Sequence, residues 1–324
     1  MKNKFLKWIA LAIASLVAPL CISCKGFNDN GKTKIVTTIF PEYDWVMNII
    51  GEQKENIDVT MLLDSGVDLH SYSPTPKDIV TISNCDLFIY VGGESDGWTE
   101  EVLKTAKNKD MKVINLMTVL GDLAKEEEII DGMEGEEEEE GEEKEKEYDE
   151  HVWLSLRNAE LFINTICESI SSLDEENASY YAANAATYIT NLKALDAQYI
   201  AAVNAGAQKT ILFADRFPFR YLVEDYSLKY YAAFVGCSAA SAASFETIKF
   251  LAGKVDELGL KVILKIEDSD GGIANAVKNA TTSKDQKILV MDSIQSATTK
   301  EYASGRNYLS IMQKNLEVLT EALR

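Results

Sequence analysis

One pattern limits the fold of this chain more than any other. Short β-branched runs alternate with amphipathic helical runs from Lys34 to Leu116, and the alternation resumes from Thr210 to Leu323. Between the two stretches lies one long helical run, Asp174 to about Asn204. Strands that alternate with helices form parallel βαβ units, with helices covering the sheet. In the first stretch Lys34–Phe40 reads as a strand stopped by Pro41, and Glu42–Ile50 as a helix closed by Gly51. Strands follow at Ile57–Leu62, Asp86–Val91 and Lys112–Leu116, with helices at Lys77–Ser83 and Trp98–Ala106. Helices also read at Leu156–Ser171 and through the long run, where Tyr180, Ala183, Ala186, Tyr188, Leu192, Leu195 and Tyr199 suit one face. At 1.5 Å per residue that run reaches roughly 45 Å, longer than one domain needs. The second stretch has strands at Thr210–Ala214, Tyr230–Val235, Lys261–Ile266 and Lys287–Met291. Its helices read at Phe217–Asp225, Phe245–Leu258, Gly272–Asn279 and Tyr302–Leu323. The expected architecture is α/β: two Rossmann-like lobes of parallel sheet flanked by helices, residues 34–172 and 206–324. One long rigid backbone helix, 173–205, joins them. Such sheets bind ligands at the carboxyl ends of their strands, here between the lobes.

The two ends of the leading lobe carry different signals. Lys2, Lys4 and Lys7 precede an uncharged apolar run from Trp8 to Ile22, then Ser23 and Cys24. A basic start, a short apolar stretch and a small residue before a cut predict a secretory signal over residues 1–23. An anchor that is never cut is the alternative. Leu20-Cys21-Ile22-Ser23-Cys24 resembles a bacterial lipobox, which implies lipidation of Cys24 and a tether over residues 24–33, although Cys21 is unusual where Leu is expected. The reading is an exported protein on the extracytoplasmic face of a cell membrane, held by its lipid.

At the other end, Glu126 to Glu150 holds sixteen acids against Lys144 and Lys146, most of the chain's net charge of −20. Five consecutive glutamates with interspersed glycines cannot bury a core, so a disordered acidic loop is expected over about 124–148. The remainder is only mildly acidic, with no basic stripe for nucleic acid. After Cys24 only Cys85, Cys167 and Cys237 remain, too widely spaced for a disulfide framework.

Histidine is scarce: His70 and His151 are the only two. Both fall in loops of the leading lobe, and neutral imidazole is the commonest protein metal ligand. Gly66-Val67-Asp68-Leu69-His70-Ser71-Tyr72-Ser73-Pro74-Thr75-Pro76-Lys77-Asp78 resembles the first ligand loop of the metal-binding receptors of zinc and manganese ABC importers. Asp149-Glu150-His151-Val152-Trp153-Leu154 is similar to that family's second string, usually D-P-H-x-W-L. The resemblance runs from Lys34 to the C-terminus and implies a monomeric lipoprotein that holds a metal ion between two lobes. It implies partners too, an ABC permease and its ATPase. An acidic or His-rich insertion between the two strings is the family's usual place for a metal-collecting loop.

The departures lie in the trailing lobe. Where the family has a third histidine, counting back from Tyr221, this chain has Arg216, which cannot be an ordinary ligand. Asp215, one place earlier, is the substitute candidate; Arg216 and Arg220 are alternatively partners for cleft carboxylates, or an anion site. The family's acidic fourth ligand falls on Glu267 or Asp270. Cys237, at another strand end, offers a thiolate or is a buried core residue. The expected ligand is Zn²⁺, with Mn²⁺ or Fe²⁺ favoured if oxygens outnumber imidazoles. A surface adhesin, or a relative that has lost tight metal binding, are the alternatives. No His-x-x-x-His, GxSxG or phosphate loop is present, and no enzymatic activity is expected.

Overall fold

The computed structural model describes residues 31–135, 147–238 and 242–324. The signal segment and Cys24 lie outside the described residues, as does the middle of the acidic run. Residues 33–324 form one compact unit. It begins with β1 (Thr33–Thr37), α1 (Phe40–Ile50), β2 (Ile57–Met61), α2 (Pro76–Ser83), β3 (Leu87–Tyr90), α3 (Thr99–Thr105), β4 (Lys112–Asn115) and α4 (Leu116–Leu120). The four strands pair in parallel in the order β2-β1-β3-β4. All four β3 residues are buried, as a strand covered on both faces requires.

After the acidic segment come α5 (Leu156–Leu173) and the long α6 (Ala178–Ala205). The chain then runs β5 (Thr210–Phe217), α7 (Arg220–Asp225), β6 (Lys229–Val235), α8 (Phe245–Leu258), β7 (Val262–Lys265), α9 (Gly272–Ala280), β8 (Lys287–Val290), α10 (Thr299–Ala303) and α11 (Tyr308–Ala322). This second sheet is also parallel and four-stranded, in the order β6-β5-β7-β8. The architecture is therefore two parallel α/β sheets flanked by helices, with one long helix between them in sequence.

That helix is gripped from both sides. Its buried stripe is Tyr181, Ala185, Tyr188, Leu192, Leu195, Tyr199 and Val203, with steps of three and four residues. The stripe starts on Tyr181 and Ala185 rather than Tyr180, Ala183 and Ala186; the turn before the helix begins at Asp174, which accepts from Tyr181 Oη at 2.6 Å. Tyr188 Oη donates to Asp44 of α1 at 2.6 Å, and Tyr199 Oη donates to the Met312 carbonyl of α11 at 2.7 Å. Tyr199 also stacks on Tyr226, with centroids 5.0 Å apart. Trp45 of α1 packs against Phe162 of α5 and Tyr308 of α11, so one apolar core runs beneath both sheets.

Three local differences from the sequence pattern bear on the site. First, β5 continues through Phe217, with a register shift between Phe213 and Arg216, which places Asp215 and Arg216 at a bulge inside a strand. Second, the last helical run is split, since Gly305 at φ +99° ends α10 before α11 begins. Third, both ends of the acidic segment are ordered. Glu126 pairs antiparallel with Tyr148, and Glu134 forms a parallel bridge to Phe234 on edge strand β6. Tyr221 Oη donates to the Asp149 carbonyl, and Lys125 pairs with Glu224, so this stem braces the second sheet against the first.

Candidate metal site

The loop after β2 is shaped by its own short side chains. Asp68 Oδ1 accepts from the His70 amide at 3.0 Å and starts a single helical turn, Leu69–Ser71, with Leu69 buried beneath it. Tyr72 Oη donates to Asp78 at 3.0 Å, while Thr75 and Asp78 exchange hydrogen bonds as a capping box for α2. Asp68, Tyr72, Thr75 and Asp78 thus fix the loop that carries His70.

His151 arrives from the other side of the acidic segment. Asp149 Oδ1 accepts from the His151 amide at 2.8 Å and lies 3.0 Å from His151 Nδ1. The turn that follows, Val152–Leu154, is wholly buried. Trp153 Nε1 donates to the Ser293 carbonyl at 2.9 Å and Tyr308 Oη to the Trp153 carbonyl at 2.6 Å, locking the string to the second sheet. His151 is fully buried.

The two imidazoles meet with Nε2 atoms 3.1 Å apart. Each has its Nδ1 side occupied. Asp149 faces that of His151, and Ser95 Oγ at 2.8 Å with Glu150 Oε2 at 3.6 Å faces that of His70. With both Nδ1 atoms engaged in this way, the two Nε2 atoms are directed at one another. Burial, and then the neighbouring His151, lower the His70 pKa to about 3, so His70 is neutral at physiological pH. Gly93 makes room for this arrangement: at φ +83°, a Cβ there would stand 2.3 Å from Glu150 Oε1.

Among the described residues, the His, Cys, Asp or Glu ligand atoms gathered within 4.8 Å of one another belong to His70, His151 and Cys237. Asp215, Glu267 and Asp270 fall outside that group, and each is engaged elsewhere. Asp215 accepts from the amides of Arg216 and Ile266. Glu267 accepts from the amide and hydroxyl of Ser293, both at 2.7 Å, and its pKa is raised to about 7 by burial and then by Asp292. Asp270 closes a turn onto the Gly272 amide at 2.7 Å. Arg216 pairs with Asp68 across the lobes. Burial acts to raise Asp68, but the Arg216 charge and then His70 hold it below the usual carboxylate range. Arg220 pairs with Glu128 and Glu224.

Sequence reasoning did not single out Ser95, Glu150 or Gln295. With its amide turned to suit its neighbours, Gln295 donates to both oxygens of Asp68 and sets its carbonyl oxygen 3.2 Å from His151 Nε2. Glu150 carried one signal: it stands where the resembled string has proline. The remaining two lie in loops after β3 and β8, whose sequences carry no ligand signature.

The model of the zinc-uptake complex component A periplasmic family (ZnuA) matches residues 35–322. The chain belongs to this family. It is 31 % identical over 326 aligned positions to the zinc-binding protein AdcA of Streptococcus pyogenes serotype M3, covering 98 % of this chain but 61 % of that relative. It therefore spans less than two thirds of the AdcA length. To the high-affinity zinc uptake system protein ZnuA of Bacillus subtilis it is 29 % identical, with 98 % of both chains covered. Among solved structures, the Zn(II)-bound ZnuA-like domain of Streptococcus pneumoniae AdcA superposes with a TM-score of 0.70 at 27 % identity. That match covers 90 % of this chain and 99 % of the domain.

Proposed function

We propose that this chain captures a zinc ion between its two sheets and delivers it to an ABC permease driven by its ATPase. One observation carries the reading: two imidazoles, each with a partner at Nδ1, bring their Nε2 atoms within 3.1 Å of one another. Without a cation that contact is a hydrogen bond between the rings; a cation between the two nitrogens replaces it with coordination. Two nitrogens 2.0–2.1 Å from a tetrahedral zinc stand about 3.3 Å apart, so a small parting of the rings seats the ion. The carboxylates behind both rings orient them and raise their basicity, as partners of metal-bound histidine do. The zinc-binding names of the AdcA and ZnuA relatives support the same cargo.

The role proposed is stoichiometric capture rather than turnover. One relative, from Streptococcus pneumoniae, is named a zinc-binding lipoprotein, which supports export and attachment through Cys24. The chain is proposed to act as a monomer at the membrane surface. Competition titration with a chromophoric chelator tests the reading. The mature protein should bind one zinc tightly, and H70A/H151A should lose that site with an unchanged far-ultraviolet circular dichroism spectrum. Unaltered affinity in the double variant would remove the site from these histidines.

A further inference from the structure

We propose that Cys237 is the third ligand of the captured ion, replacing the imidazole that Arg216 displaces, so that two nitrogens and one thiolate hold it. This rests on the zinc-capture reading and assigns the site's selectivity. Arg216 is spent on Asp68, and the three acids nearest in sequence to the trailing half of the site are tied to backbone or hydroxyl donors. What lies against the His151 ring from the second sheet is the turn that ends β6.

That turn is built to approach the rings. A Cβ on Gly236 would stand 2.9 Å from His151 Cε1 and 3.0 Å from the Phe217 carbonyl oxygen. Glycine is thus required for the turn to lie against the imidazole, and it delivers Cys237 beside it. The leading lobe then fastens the turn from outside. Glu127 Oε1 accepts from the Cys237 amide at 3.4 Å, and the Glu134 amide donates to the Ala233 carbonyl at 2.9 Å. The stem of the acidic segment, whose middle the family resemblance reads as a cation collector, thereby positions the thiol.

A second observation points to a cation here. Glu150 is 2 % exposed and its Oε2, 3.6 Å from His70 Nδ1, has no hydrogen-bond partner among the described residues. A buried carboxylate oxygen behind one imidazole, with the second imidazole and a thiol gathered at the same place, is a set that a dication would neutralise. When the ion enters, a metal–sulfur bond forms and the Cys237 S–H proton leaves to solvent, with no change of oxidation state. The three donor atoms, now within 4.8 Å of one another, have to contract by about 1 Å at most to fit N and S bond lengths of 2.0–2.1 and 2.3 Å. A thiolate ligand favours zinc over manganese.

Cobalt(II) provides the probe. The Co(II) complex of the mature protein should show a near-ultraviolet thiolate-to-cobalt charge-transfer band, absent from C237S and C237A. Zinc affinity in both variants should fall by more than the roughly 10- to 100-fold that loss of an outer partner costs, while manganese affinity barely changes. A wild-type cobalt complex without that band, or C237S with wild-type zinc affinity, overturns the proposal. If H70A/H151A still abolishes binding in that case, zinc capture stands and only the thiolate falls. Undiminished affinity in H70A/H151A would instead bring down the capture reading itself.

Discussion

The side of the site formed by the first sheet and the side formed by the second are held differently. On the first side both imidazoles are backed by carboxylates, Asp149 behind His151 and Glu150 behind His70, within a loop and a turn already fixed by capping and core contacts. On the second side the nearest charged group is Arg216, which faces Asp68 and neutralises it, and the donor beside the rings is a thiol on a glycine turn. One half is preorganised by hydrogen bonds to the ligands themselves, the other by a salt bridge that spans the lobes and by a strap from the acidic stem. The orientation of the imidazoles should therefore depend on the first half, and the fit between lobes on the second.

Among residues that act behind the ligands, the largest effect is expected at Asp149. D149N keeps the shape but weakens the partner of His151 Nδ1, and zinc affinity should fall by about 10- to 100-fold with little change in melting temperature. An unaltered affinity would show that the carboxylate does not orient the ring. R216A should act in the opposite sense, on stability before affinity. It leaves Asp68 without its charge partner and should lower the unfolding free energy of the metal-free protein by about 2 kcal/mol, read by denaturant titration. Faster deuterium exchange should follow in both the Asp68 loop and β5, and exchange confined to β5 would deny the inter-lobe role.

A third prediction concerns the buried acids of the first side. Glu42 is wholly buried at the start of α1, accepting from the Thr38 and Ile39 amides through one oxygen, with no partner among the described residues for the other. Burial, and then Asp96, raise its pKa to about 8 from 4.5. The folded state therefore binds a proton that the unfolded state releases. Glu42's contribution to stability is complete below pH 4.5 and is lost as pH rises towards 8, at up to about 1.4 kcal/mol per pH unit. E42Q should flatten that slope in denaturant titrations between pH 5 and 8; an equal slope in both proteins would refute it. The smallest effect is predicted for deletion of residues 136–146. The stem pairs through Glu126 and Tyr148 without them, so the tight site should keep its affinity within about twofold while weak cation sites vanish in equilibrium dialysis.

The fold was legible because its two periods are strong. The alternation of β-branched and helical runs marks each strand of both sheets, and errors are confined to ends, as where β5 runs on through Asp215 to Phe217 against a bulge that only pairing with β6 reveals. The first half of the site was legible for a related reason: its residues make local hydrogen bonds, so the string around His70 records its own geometry. The second half is assembled by long-range packing. Asp215, Glu267 and Asp270 stand near the right strand ends, but their oxygens go to donors that sequence spacing does not show. Cys237 reads alike as core filler or ligand until Gly236 is seen against His151. Gln295 comes into play only once the loop after β8 closes over Asp68.

The central claim is that two histidine rings hold the ion. Zinc-edge X-ray absorption of the mature protein loaded with one equivalent of zinc tests it most directly. The account predicts outer-shell scattering from two imidazoles around a four-coordinate ion. A shell of oxygens alone, with no imidazole signature, would contradict it.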